Sequence, residues 1–120
     1  MDDKVNVKIT VEGNVAVAVF EAVSISNTEG VTAAAAQINK FVEEKQPNKM
    51  VFDFECVKFF SSQVLGLLLD VRAKLKAYDG EVVISAINPQ LHRVFKITNL
   101  DKVFKFFPDM ASALNAVGTN

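Results

Sequence analysis

The sequence predicts an α/β fold, one mixed and mostly parallel sheet of about five strands covered by about four helices. Three observations point there. Val5, Val7, Ile9 and Val11 alternate with Asn6, Lys8 and Thr10, the period-two pattern of a strand with one buried face. Two later runs, residues 49–54 and 81–86, are short and apolar almost throughout, as strands buried on both faces are. Each is flanked by segments whose apolar residues recur at helical three- and four-residue spacing, the alternation that builds a parallel sheet.

The totals agree. A chain of 120 residues with 50% hydrophobic and 22% charged residues can build one core and leaves little for a second. No repeat, long linker or low-complexity run divides it, so residues 1–120 are expected to form a single domain with its core at about 5–117. The net charge of −1 gives no electrostatic reason to expect nucleic acid. The single cysteine, Cys56, rules out an internal disulfide and suggests no cysteine-based metal site. The start, Met1-Asp2-Asp3-Lys4, does not read as a secretory signal, and no apolar run approaches the ~18 residues of a membrane span. A cytoplasmic protein with no membrane partner is expected.

Taken in order, the first strand turns at Glu12-Gly13-Asn14 into a second, residues 15–20, which is apolar on both faces and therefore interior. Residues 21–29 are small and polar and read as a loop, with Ser26, Asn27 or Thr28 placed to cap the next helix. Val31, Ala34, Ala35, Ile38, Phe41 and Val42 give that helix an apolar face, and Gln46-Pro47-Asn48 stops it. After the strand at 49–54, residues 55–60 read as a loop or strand extension. A second helix follows over about 62–78, capped by Ser61 or Ser62. Leu65, Leu68, Leu69, the stem of Arg72, Ala73 and Leu75 are expected on its buried face. Asp79-Gly80 ends it, with Gly80 in the left-handed conformation. The strand at 81–86 leads to Asn88-Pro89, a cap and first helical residue, and a short helix to about Ile97. Residues 102–106 alternate and read as an edge strand guarded by lysine. Pro108-Asp109 opens a last helix through Ala116, and Gly118-Thr119-Asn120 is a frayed end.

Motifs for chemistry are scarce. His92 is the sole histidine, and HExxH, CxxC, GxxxxGK[ST] and GxGxxG are all missing. A hydrolase would have to use Ser61 or Ser62 with His92 and Asp70 or Asp101, but the Gly-x-Ser-x-Gly elbow is missing. No enzyme activity and no cofactor are expected. His92 reads as surface or half-buried packing, and Cys56 as a buried or half-buried small hydrophobe. In each doublet, Phe59-Phe60 and Phe106-Phe107, neighbouring side chains point to opposite sides, so one member of each is available to a partner. At Ser61-Ser62, a helix N-terminus also favours negative charge, so a phosphate on the exposed serine would be accommodated there.

The run Val57-Lys58-Phe59-Phe60-Ser61-Ser62-Gln63-Val64-Leu65-Gly66-Leu67-Leu68-Leu69 resembles the signature of STAS domains, the anti-sigma factor antagonists (anti-anti-sigma factors) of bacteria. The family pattern is an apolar β segment, Asp-Ser-Ser-Gly-Leu-Gly, and an apolar helix. The strand at 81–86, the Pro89 helix with Val94-Phe95 and the ending at Leu100 resemble the family as well. The resemblance spans about residues 5–117 and implies a STAS-like fold. It also implies a cycle: the unphosphorylated protein sequesters an anti-sigma factor that is often a serine kinase, phosphorylation releases it, and a phosphatase resets it. Laid on this chain without gaps, the motif puts the phosphorylated serine at Ser62, with Ser61 the second choice. The implied partner face is Ser24, Ser26, Asn27, Phe60, Ser61, Ser62, Gln63 and Val64. The chain departs from the pattern at Ser61 and Ser24, which stand where the family has aspartates, and at Gln63 and Val64, which replace a serine and a glycine. A constitutive scaffold or interaction domain of a larger signalling assembly, without phospho-regulation, is the alternative. Neither the sigma pathway nor the oligomeric state is written in the sequence.

Overall fold

A computed structural model describes residues 6–118. The expectations that fall on residues 1–5, Thr119 and Asn120 lie outside the described residues. The elements run β1 (Val7–Glu12), β2 (Val15–Phe20), β3 (Ser24–Ile25), α1 (Thr28–Lys45), β4 (Lys49–Asp53), β5 (Phe59–Phe60), α2 (Gln63–Lys76), β6 (Glu81–Ser85), α3 (Pro89–Ile97), a 3-10 turn (Leu100–Lys102), β7 (Lys105–Phe107) and α4 (Met110–Gly118).

The principal sheet has the order β1-β2-β4-β6-β7. β1 runs antiparallel to β2 through the Gly13-Asn14 turn, where Gly13 takes φ +66°. The other neighbours are parallel, with Val17 beside Val51 and Val51 beside Val83. β2, β4 and β6 are buried on both faces, as their apolar runs predict. One face packs on α1, α2 and α3 in a core that includes Phe20, Phe52, Phe54, Leu68 and Phe95. The other face, made by Val15, Val17, Val51 and Val83, is covered by Ala113 of α4, with Met110, Leu114 and Val117 half-buried beside it.

Helix starts follow local chemistry. Asn27 Oδ1 accepts from the Gly30 N–H at 2.9 Å, and Asn88 Oδ1 from the Leu91 N–H at 2.8 Å. Asp109 Oδ1 accepts from the Ser112 N–H at 2.7 Å, and that bond holds its carboxyl below the usual carboxylate range. α1 stops at Gln46, which is left-handed at φ 44°.

Several expectations are corrected. Asp79, not Gly80, takes the left-handed shape after α2, at φ 65°. Gly80 is required for space instead, because a Cβ there would meet Asn48 O and Leu75 Cβ at 3.0 Å. On α2, Ala73 is exposed, while Val64, Leu67 and Val71 join Leu65, Leu68 and Leu75 in the core. The helix is wedged between the sheet and α1, so its apolar stripe is wider than the leucines alone indicate. The last strand begins at Lys105, because residues 100–102 close a 3-10 turn in which Val103 N–H bonds to Leu100 O at 3.0 Å. Gly118 lies within α4 instead of a frayed end. Cys56 is exposed, at a turn after β4. The doublet Phe106-Phe107 splits its two side chains between the two cores, and both are half-buried.

Candidate functional site

Residues 21–29, expected as a loop, and 55–60, expected as a loop or strand extension, zip together. β3 and β5 form a separate two-stranded parallel sheet, with Ser24 beside Phe59 and Ile25 beside Phe60. The Val23 carbonyl accepts from the N–H groups of Lys58 at 2.8 Å and Phe59 at 3.2 Å, and Ile25 O accepts from Ser61 N–H at 2.9 Å. Alternation sorts the side chains. Ile25 and Phe60 face inward, where the Phe60 ring lies 5.7 Å from Phe54 and 6.0 Å from Phe95. Ser24 and Phe59 face outward, and Phe59 is 56% exposed beside Val23 at 61%. The β3–β5 pair therefore presents a small apolar surface at the threshold of α2.

Beneath it lies a buried polar support that the sequence reading missed. Asp53, at the end of β4, accepts from the Glu55 N–H at 2.8 Å with Oδ1 and from Ser85 Oγ at 3.1 Å with Oδ2. Both residues are buried. Asn88 adds a bond from Nδ2 to Val57 O at 3.2 Å. These contacts fix the turn that carries β5. The available signal was a carboxylate closing an otherwise apolar strand, since such a group must find donors when buried.

The start of α2 departs from ordinary capping. Ser62 precedes the helix with helical backbone angles, φ −61° and ψ −16°, and makes no side-chain cap bond. An N-cap side chain reaches back to the first turn from an extended backbone, so the helical setting of Ser62 leaves its hydroxyl exposed to solvent. Ser61 Oγ is buried and has no hydrogen-bond partner. Neither serine caps α2, which corrects that expectation; the main chain closes the helix start, with Val64 N–H on Ser61 O and Leu65 N–H on Ser62 O, both at 3.0 Å. The first turn holds no acidic residue, so nothing there offsets the positive end of the helix dipole.

Of the eight residues expected on the partner face, the fold brings Ser24, Ser26, Asn27, Ser61, Ser62 and Gln63 to one end of the molecule. Ser24 and Ser26 hydroxyls lie 3.3 Å apart, and Gln63 Nε2 reaches Thr28 Oγ1 at 3.4 Å, tying α2 to α1. Phe60 and Val64 do not belong to that surface. Phe60 is 5% exposed and Val64 is fully buried, because each takes the inward position of its element. His92, the base of the hydrolase reading, packs its ring 4.5 Å from Phe106. Among the described residues no helix is long and apolar enough to cross a membrane.

The fold is shared with known proteins. Residues 7–113 match the model of the STAS domain. An anti-sigma factor antagonist from Mycobacterium paratuberculosis is 26% identical and superposes with a TM-score of 0.85 over 99% of this chain and 98% of that one. The phosphorylated form of the Bacillus cell fate determinant SpoIIAA is 20% identical, with a TM-score of 0.73 over 93% of this chain and 99% of that one. An anti-sigma F factor antagonist of Paenibacillus polymyxa is 23% identical over 78 residues, 65% of this chain and 67% of that protein. With the family model matched across β1 to α4, the chain belongs to the STAS domain family.

Proposed function

We propose that this protein is an anti-sigma factor antagonist whose binding face is switched by phosphorylation of Ser62. The observation that carries the reading is the exposed Ser62 hydroxyl, uncommitted to capping, at the unneutralised start of α2 and next to the apolar pair Val23 and Phe59. Unphosphorylated, this end offers apolar area and neutral polar groups to an anti-sigma factor that is also a serine kinase. A phosphate adds a charge of about −1.5 to −2 and three acceptor oxygens. The helix start accommodates that charge locally, while burying it against an apolar partner surface is costly, so phosphorylation releases the partner. A phosphatase restores the neutral face. In this reading the protein is the substrate of the chemistry and a binding module, not an enzyme, and it works in the cytoplasm.

Ser62 ranks above Ser61 because the Ser61 hydroxyl is buried and reaches a kinase only if the helix start opens. Incubation with the anti-sigma kinases of the native cell and ATP should place phosphate on Ser62 and none on Ser62→Ala. Labelling unchanged in that variant would refute the assignment.

A constitutive STAS scaffold is favoured by one observation, Ser24 and Ser61 standing where the family pattern of the resemblance has aspartates. The two readings separate on binding. Ser62→Glu abolishes capture of the anti-sigma factor if the site is a switch and leaves it unchanged if the domain is constitutive.

A further inference from the structure

β1 is an edge of the principal sheet, and among the described residues no strand lies outside it. One bond fixes which of its backbone groups face outward. Glu21 N–H donates to Asn6 O at 2.8 Å, so Asn6 and Glu21 form a hydrogen-bonded pair of the antiparallel ladder. Alternation then turns the backbone of Lys8, Thr10 and Glu12 toward β2, and that of Val7, Ile9 and Val11 toward the open edge. The Val7 carbonyl is already occupied, accepting from Gln37 Nε2 at 2.8 Å. Ile9 and Val11 are left offering their N–H and C=O groups outward. The side chains divide as well: Ile9 packs on the core, Val11 is 55% exposed on the same face, and Lys8, Thr10 and Glu12 are exposed on the opposite face.

The segment Lys8-Ile9-Thr10-Val11-Glu12 is complementary to itself when reversed. We propose that this edge binds a second copy of the chain, β1 against β1 in antiparallel register about a two-fold axis at Thr10. In that register Ile9 lies opposite Val11 of the second copy, and these are the residues whose backbone groups face outward, so they form the hydrogen-bonded pairs. Lys8 lies opposite Glu12 on the other face, and this occurs twice by symmetry. The exposed Val11 gains an apolar cross-strand neighbour. A shift by two residues in one direction requires the Val7 carbonyl that Gln37 holds and places Lys8 opposite Thr10. A shift in the other direction sets Ile9 against the Gly13 turn and Glu12 against Thr10. Lysine on an edge ordinarily discourages pairing. Here a partner with an acidic residue at the matching position neutralises it, and a second copy presents Glu12 there.

The test is sedimentation of the full chain over a wide concentration series, with charge reversals at two exposed positions. The wild type should pass from monomer to dimer. Lys8→Glu and Glu12→Lys should each weaken the dimer by about tenfold or more, since each sets two like-charge pairs face to face. The double reversal should restore it. A second measurement uses the axis: Thr10 faces its own copy as a non-hydrogen-bonded pair, with Cα atoms about 4.5 Å apart. Thr10→Cys in a Cys56→Ser background should therefore form an intermolecular disulfide under mild oxidation. A wild type that stays monomeric throughout overturns the proposal. So does a dimer indifferent to both single reversals, a double reversal as weak as the singles, or a Thr10→Cys variant that does not cross-link.

Discussion

Ser61 and Ser62 are neighbours with opposite environments, one hydroxyl buried and unpartnered, the other in water. Neither supplies the cap bond that serine at a helix start normally provides. Stability should report this. Replacing a working cap by alanine costs about 1 kcal/mol, as is expected for Asn88→Ala, which loses its bond to the Leu91 N–H and a second bond to Val57 O. Ser62→Ala should cost less than about 0.5 kcal/mol, as a surface substitution free of such a contact does. Ser61→Ala should be neutral or slightly stabilising, because a buried hydroxyl without a partner is itself a cost. Urea unfolding of the three variants checks the order. An Ser62→Ala loss as large as that of Asn88→Ala would show that Ser62 caps α2 in solution and is not held free for modification.

At the scale of elements, the β3–β5 pair decides what the site presents, and it is the part least legible in the sequence. Each strand has two residues, and the partners lie thirty-five positions apart in Ser24 and Phe59. No periodicity can be read from two residues, and a parallel pairing of distant segments leaves no turn motif between them. The long signals were readable: the alternation of β1, the apolar runs of β4 and β6, and the Asn88-Pro89 start of α3 all fall where the pattern puts them. The serine pair was located by its strand-to-helix setting and family motif, but burial was not. Val64 resembled an exposed substitute for glycine, yet it shares a face with Leu68 and Val71 and is buried with them. The Phe59-Phe60 doublet tests the pairing directly. Phe60→Ala removes a ring packed on Phe54 and Phe95 and should cost about 3–5 kcal/mol. Phe59→Ala should leave stability within about 0.5 kcal/mol while weakening partner capture, since its ring is in solvent. Equal losses of stability in the two variants would mean that Phe59 is not the outward residue of β5.

Across the whole molecule the sheet is bound together by packing, and among the described residues an ion-pair network ties its parallel strands. Glu81 at the start of β6 reaches Lys49 of β4 at 3.2 Å on one side and Lys105 of β7 at 3.4 Å on the other, spanning three strands. Partial burial works to raise its carboxyl, but the two ammonium groups outweigh that and hold it below the usual carboxylate range. A carboxyl lowered in the folded state contributes stability that is fully present above its unfolded value of about 4.3. That contribution is lost as pH falls through the lower folded value. The amide in Glu81→Gln keeps the shape and removes the titration, so the difference in unfolding free energy between wild type and variant isolates this tie. It should favour the wild type by up to about 1 kcal/mol at neutral pH, the ordinary limit for a solvent-screened pair. It should be constant down to the upper carboxylate range and close to zero once the folded carboxyl is protonated. High salt at neutral pH should shrink it as well, because both lysines retain access to water. A difference that grows on acidification would reverse the sign of the linkage and show that Glu81 is more readily protonated folded than unfolded, with burial overriding its two lysines.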